Sequence, residues 1–177
     1  KAKEDMPFGE GPYRALEYTL KLADNMGFTT KNLNGYVGYA EFGEGEETLG
    51  ILAHLDVVPE GDGWDYNPYG GEIHNGRLYG RGAIDDKGPA MAVLYAMKIL
   101  KDAEVPLTKK IRIIFGTNEE TGWGCMKYYL KNEKPPEMAF TPDADFPVIH
   151  AEMGILVFDL TMNIENNCIG DILIKDI

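Results

Sequence analysis

Apolar residues recur at helical spacing in three parts of the chain. Leu16, Leu20 and Ala23 are spaced i, i+4, i+7, between Pro12 near a helix start and Gly27 as a stop signal, and they predict one helix. Similar patterns predict helices from 87 to about 103 and from about 122 to 132.

Strand signals separate these helical patterns. They fall at 36–42, 48–52, 110–116, 138–140 and 155–162. Asn75-Gly76 lies between two further short strand signals, at 72–74 and 77–79, and is typical of a two-residue hairpin. The alternation of helices and strands predicts a layered α/β domain.

Composition narrows the class of protein. The formal net charge of -12 over 177 residues argues against nucleic-acid binding or an anionic membrane surface, since either needs a basic patch. The acidity fits solubility, or a cluster of carboxylates held by a metal. No apolar run has membrane-spanning length, no signal-peptide pattern is seen, and the two cysteines form no framework, so we expect a cytoplasmic setting. The sequence has no serine, which excludes a serine nucleophile from these residues.

Acidic and imidazole side chains follow three predicted strands and precede one predicted helix. In chain order they are His54 with Asp56, Asp85 with Asp86, Glu119 with Glu120, and Asp143. Ligands of open α/β sheets collect beyond the carboxyl ends of strands, so we expect these groups to converge there. They would repel one another without cations between them, and histidine with carboxylate suits zinc or a similar first-row metal.

Each motif alone also has an ordinary interpretation. A histidine at a strand end, such as His54, is more often a polar surface residue, and Glu119 and Glu120 could be solvated acids at a helix start. The functional interpretation gives Asp56 the task of orienting a metal-bound His54. One glutamate would then bind metal while its neighbour accepts a proton.

Three other residues are weaker candidates. His74 beside the hairpin is expected to be an exposed strand residue, and His150 a half-buried strand residue. Cys125 lacks the signature of a nucleophilic pair, and a buried cysteine is usually inert.

Four segments in order carry a specific resemblance: AHLDVVP, GRGAIDDKG, GTNEETG and TPDADFP. They resemble the sequential metal-site motifs of metallopeptidase family 20, most closely its bacterial dipeptidases of the carnosinase-like, PepV type. The resemblance runs from about residue 8 to about 162. It implies that residues 1–162 are the N-terminal part of a catalytic domain with a mixed sheet flanked by helices.

The resemblance also implies a role for each residue of the set. His54 and Asp143 would hold one metal, Glu120 another, and Asp85 would bridge the two; Glu119 would be the general base and Asp56 the partner of His54. The metals would be two zinc ions, with manganese or cobalt as possible substitutes, and the substrate a small peptide, in the first place a dipeptide. A cis peptide bond between Asp85 and Asp86 is implied as well.

The sequence departs from the family in length. Family members run to more than twice these 177 residues; their lid or dimerisation domain and their last metal-binding histidine have no counterpart here, and residues 163–177 match nothing that we can place. We therefore expect an incomplete portion with at most one tight metal, bound by His54, Asp85 and Asp143, and negligible catalysis alone. Two alternatives stay open: an amidohydrolase for N-acyl amino acids, of the aminoacylase or desuccinylase type, and a non-catalytic metal-binding remnant.

Overall fold

The computed structural model describes residues 2–3, 5–145, 147–154 and 156. The chain divides into two compact units, Lys1–Ala144 and Asp145–Ile177. The described residues of the second unit form neither helix nor strand. Apart from Leu156, the strand predicted at 155–162 lies outside the described residues, as does the tail 163–177. Within the described part, no helix is both long enough and apolar enough to cross a membrane.

The first unit contains all the helices and strands that the structure describes. The helices are α1 (Glu10–Asn25), α2 (Lys87–Asp102) and α3 (Gly124–Asn132). The strands are β1 (Thr29–Leu33), β2 (Val37–Phe42), β3 (Thr48–His54), β4 (Glu72–His74), β5 (Arg77–Tyr79), β6 (Lys110–Gly116) and β7 (Met138–Phe140). The predicted elements within this unit are confirmed to within about two residues, and β1 is an addition that the sequence pattern did not predict.

Five of these strands form one mixed sheet in the order β1-β2-β6-β3-β7. β1 pairs antiparallel with β2, and β2 antiparallel with β6, whereas β3 pairs in parallel with both β6 and β7. His54 at the end of β3 lies opposite Gly116 at the end of β6. The carboxyl ends of the three parallel strands therefore share one edge of the sheet.

Helices cover both faces of this sheet. Along β6, Ile113 and Phe115 belong to the core that α1 and α2 close with residues such as Leu16 and Leu94. Ile114 faces the other way and joins a second core with residues of α3, because successive strand residues point to opposite faces. The mixed sheet flanked by helices is thus confirmed.

The hairpin β4–β5 forms a separate two-stranded sheet. Asn75 and Gly76 both have positive φ, 50° and 76°, as a two-residue hairpin turn of this type requires. This predicted hairpin is also confirmed.

Candidate metal centre

The parallel strands bring the predicted site residues to one sheet edge. His54 is the last residue of β3. Glu119 and Glu120 follow the end of β6 within four residues, and Asp143 follows the end of β7 within three. Asp85 lies in the loop that leads into α2.

One nitrogen of His54 is surrounded by carboxylates. Its Nε2 lies 2.9 Å from Oδ1 of Asp85, 3.4 Å from Oδ2 of Asp143 and 4.0 Å from Oε2 of Glu119. Two groups, His54–Asp85–Asp143 and His54–Glu119–Glu120, each place their potential ligand atoms within 4.8 Å of one another. We call these five residues the His54 cluster. The structure brings all five together, while their individual roles stay predictions.

The other nitrogen of His54 is occupied by Asp56. Nδ1–H donates to the backbone carbonyl of Asp56 at 3.0 Å, and the carboxylate Oδ1 of Asp56 is further away, at 3.5 Å. The sequence predicted the carboxylate of Asp56 as the acceptor, whereas the structure shows its backbone carbonyl in that role. The result for the ring is the same: Nδ1 is engaged and Nε2 faces the carboxylates.

The carboxylate of Asp56 has another use, which the sequence did not reveal. Its two oxygens accept hydrogen bonds from the backbone N–H groups of Glu119 and Glu120, each at 3.1 Å. Burial alone would raise the pKa of Asp56, but the nearby ring of His54 and the hydrogen bonds from these two amides outweigh it and lower the pKa. An ionised Asp56 therefore connects the end of β3 to the loop after β6.

Asp86 makes a similar connection from α2. It is fully buried, and its Oδ2 accepts the backbone N–H of His54 at 3.1 Å. Its other oxygen has no hydrogen-bond partner among the described residues. Burial raises the pKa of Asp86 to about 6, helped by the charges of Asp143 and Asp85 and opposed by the hydrogen bond from His54. The peptide bond between Asp85 and Asp86 is cis, as the resemblance implies.

Negative groups dominate the electrostatics of this edge. The carboxylates gathered around the imidazole are Asp56, Asp85, Asp86, Glu119, Glu120 and Asp143. Burial opposes protonation of His54, but the hydrogen bonds and charge of Asp56 and the charge of Asp143 raise its pKa to about 9.

Two carboxylates besides Asp86 also resist ionisation. Burial, with neighbouring negative charge, raises the pKa of Glu119 and of Asp143, although the charge of His54 works against it. A divalent cation among these groups would reverse the effect, because it favours the deprotonated imidazole and the ionised carboxylates.

The donor set fits a zinc ion. An imidazole nitrogen held by a hydrogen bond on its other side, with two or three carboxylate oxygens within reach, is a usual ligand set for zinc. The same donors suit manganese or cobalt. The residues present are therefore chemically appropriate for the metal that the sequence predicts.

Two weaker candidates have sufficient structural explanations. The ring of His74 stacks on Tyr66 at 3.8 Å and lies 3.0 Å from a carboxylate oxygen of Glu72, within the hairpin region. Cys125 is fully buried, and burial raises the pKa of its thiol, which disfavours the nucleophilic thiolate. His150, in the second unit, is exposed, against the expectation of a half-buried strand residue.

The fold and the donor set together are those of an α/β domain with a candidate metal site at one sheet edge. The family model of Peptidase family M20/M25/M40 matches residues 50–164, which include every residue of the His54 cluster. The chain belongs to this family, and the resemblance seen in the sequence is confirmed.

Two similar bacterial proteins are named as dipeptidases. The Bacillus subtilis (strain 168) protein "Putative dipeptidase YtjP" is 56% identical over 150 residues, which cover 85% of this chain and 32% of that protein. A Staphylococcus aureus (strain USA300) protein named in the same way is 48% identical over 163 residues, covering 92% of this chain and 35% of that protein. The chain thus spans about a third of the length of these relatives.

Solved structures of the family share the fold. An M20 family metallo-carboxypeptidase, Sso-CP2 from Sulfolobus solfataricus, matches with 30% identity and a TM-score of 0.66, over 77% of this chain and 33% of that one. Human carnosine dipeptidase 1 matches with 28% identity and a TM-score of 0.58, over 68% of this chain and 29% of that one.

Proposed function

We propose that the full-length protein is a metal-dependent dipeptidase and that this chain carries most of its metal centre. One observation carries the proposal: Nε2 of the buried His54 faces Asp85, Asp143 and Glu119 where three parallel strands end. The names of the bacterial relatives support a dipeptide as the substrate. A cytoplasmic location stays a prediction from the sequence.

Most of the metal ligands are present in this chain. His54, Asp85 and Asp143 would hold one zinc ion, since their ligand atoms already lie together. Glu120 would hold a second ion with Asp85, completed by a histidine from the remainder of the protein. When bound, the metals would supply Lewis acidity, which lowers the pKa of water and polarises the carbonyl of the scissile bond.

Glu119 is the proposed general base. Its carboxylate oxygen lies 4.0 Å from Nε2 of His54, beside the place where the water and the carbonyl would react. Burial raises its pKa, which brings a carboxylate closer to the range useful for proton transfer. It would take the proton of the attacking water and return it to the leaving amine.

Asp56 and Asp86 would hold these groups in place. Asp56 fixes the ring of His54 and the backbone of both glutamates, and Asp86 fixes the backbone of His54. Such partners restrict the ligands to one orientation, which raises metal affinity.

The first experiment separates the two glutamates in the full-length protein. Glu119→Gln should retain metal, measured by elemental analysis, and lower turnover of dipeptides by at least about 100-fold. Glu120→Gln should lower the metal content instead. Exchanged phenotypes would overturn the assignment of base and ligand.

The second experiment tests the substrate class. The full-length protein should hydrolyse dipeptides faster than N-acetylated amino acids, and the opposite preference would make it an amidohydrolase of N-acyl amino acids.

The 177-residue chain alone should bind at most one zinc ion tightly in calorimetry and show negligible hydrolysis. Two tight sites would contradict the proposed division of ligands.

A further inference from the structure

A narrow recess of about 10 Å³, room for a single water molecule, adjoins the His54 cluster. Its lining includes the charged or polar residues His54, Glu119 and Asp143, and it also includes Leu52, Cys125 and Trp123. The space beside the reacting groups is therefore bounded partly by charge and partly by apolar surface. Trp123 is the largest side chain of that apolar boundary.

The backbone of Trp123 has an unusual conformation. Its φ of 59° and ψ of 27° are left-handed, which is uncommon for a bulky residue. The turn is fixed because its N–H donates to the carbonyl of Asn118 at 2.8 Å and its carbonyl accepts the N–H of Lys127 at 3.1 Å. Strained backbone of this kind persists where the surroundings hold it, and it is frequent at functional sites.

A comparison with Trp64, the other tryptophan, shows what Trp123 lacks. The indole N–H of Trp64 donates to the carbonyl of Glu60 at 2.7 Å, and the guanidinium of Arg81 lies over its ring at 5.4 Å. Within the described part of the chain, the indole of Trp123 has neither a hydrogen bond nor a stacked ring or cation. Trp123 is also 40% exposed, so part of this large residue is open to solvent.

We propose that Trp123 is a specificity residue of the full-length enzyme, packing against the substrate side chain next to the scissile amide. The inference rests on the proposed amide-hydrolysing function of the His54 cluster. An indole offers a large, rigid apolar surface with a polar N–H at its edge. It would favour substrates with an apolar side chain at that position, by the tenfold or more that an apolar pocket contact provides.

Trp123→Gly in the full-length protein is the decisive variant. Glycine adopts the left-handed conformation without strain, and this relief should offset much of the lost packing and of the greater freedom of the unfolded chain, so the melting temperature should change little. The ratio of kcat/KM for Leu-Leu over Gly-Gly should fall at least about tenfold, mainly through KM, with the metal content retained. Trp123→Phe should keep most of the ratio, and the matched control Trp64→Ala should leave it as it is in the unmodified protein.

An unchanged ratio would overturn the inference. If kcat/KM then fell equally on both dipeptides and the melting temperature fell as well, Trp123 would have a structural role. If the unmodified protein cleaves N-acetyl amino acids and no dipeptide, the dipeptidase proposal fails, and N-acetyl-leucine against N-acetylglycine gives the ratio instead. Cleavage of neither class overturns both proposals.

Discussion

Two groups of charged residues lie in or beside the five-stranded sheet, and they differ in how their charges are balanced. The first group, which we call the Arg112 cluster, consists of Arg112, Glu41, Tyr129 and Tyr39. The guanidinium of Arg112 donates to the carboxylate of Glu41 through Nε and Nη2, both at 2.7 Å, and to the hydroxyl of Tyr129 at 2.8 Å. Its guanidinium also lies 4.0 Å from the ring centre of Tyr39. Burial works against the charged guanidinium, but Tyr129 and Glu41 outweigh it and raise the pKa of Arg112.

The His54 cluster has the opposite balance. Several carboxylates share one imidazole, and the nearby Lys87 is itself disfavoured as a cation, because burial lowers its pKa despite the charges of Asp56 and Asp85. The Arg112 cluster is thus completed by the protein's own residues and stabilises the fold. The His54 cluster would be completed by the proposed metal ion, which would leave its groups available for binding and chemistry.

The largest change in stability is expected in the Arg112 cluster, where the protein's own residues balance the charges. Arg112→Met leaves Glu41 without its main partner and should lower the free energy of unfolding by about 3–5 kcal/mol, the usual loss when one member of a buried pair is removed. Urea unfolding measures this. Arg14→Met, at an exposed arginine of α1, is the matched control and should have almost no effect. Equal losses in the two variants would show that the Arg112 cluster contributes no more to stability than an exposed arginine does.

Removal of metal should lower stability through the His54 cluster only. Zinc at 100 times its dissociation constant should stabilise the native state by about 2.7 kcal/mol, and EDTA should abolish this gain. In His54→Ala, unfolding should be the same with zinc or with EDTA. A zinc effect of full size in that variant would place the metal elsewhere.

A smaller loss should follow from weakening the support of the ligands. Asp56→Asn keeps the size of the side chain but loses one of the two acceptors for the amides of Glu119 and Glu120. Zinc affinity should fall about 10–100-fold, measured by competition with a chromophoric chelator. Asp65→Asn, at an exposed aspartate, is the control and should not change the affinity.

The smallest effect has the opposite sign to that of Arg112→Met. In EDTA at pH 7, Glu119→Gln should raise the free energy of unfolding by about 0.5 kcal/mol, because it removes a carboxylate whose pKa is raised in the folded state. A raised pKa penalises folding only where the unfolded carboxylate is ionised. The gain should therefore disappear below about pH 4, near the ordinary pKa of glutamate. A gain that is constant with pH would have another cause.

Most of the fold could be predicted because its elements have a clear periodicity. β6 is a run of apolar residues between Lys110 and Gly116 that only Arg112 interrupts, and its predicted bounds are those observed. β1 was missed because only Leu33 of its five residues is buried, so the strand has no alternating pattern. An edge strand of this kind is defined by its pairing with β2, which the sequence of Thr29–Leu33 does not reveal.

The gathering of the site residues could also be predicted, from motifs that follow strands. The sequence could not reveal the hydrogen bonds between elements, such as those from the amides of Glu119 and Glu120 to Asp56. These depend on the parallel pairing of β3 and β6, which no local pattern encodes. The left-handed turn at Trp123 was missed for a related reason, since a tryptophan gives no signal for that conformation.

The short strand β7 has a consequence for dynamics. It has three residues, none of them buried, and among the described strands it pairs only with β3. Such an edge opens more readily than the centre of the sheet, and each opening would carry Asp143 away from His54. A metal bound by both residues would hold Asp143 beside His54 and make this opening less frequent. Amide hydrogen exchange in β7 would therefore slow when zinc is bound.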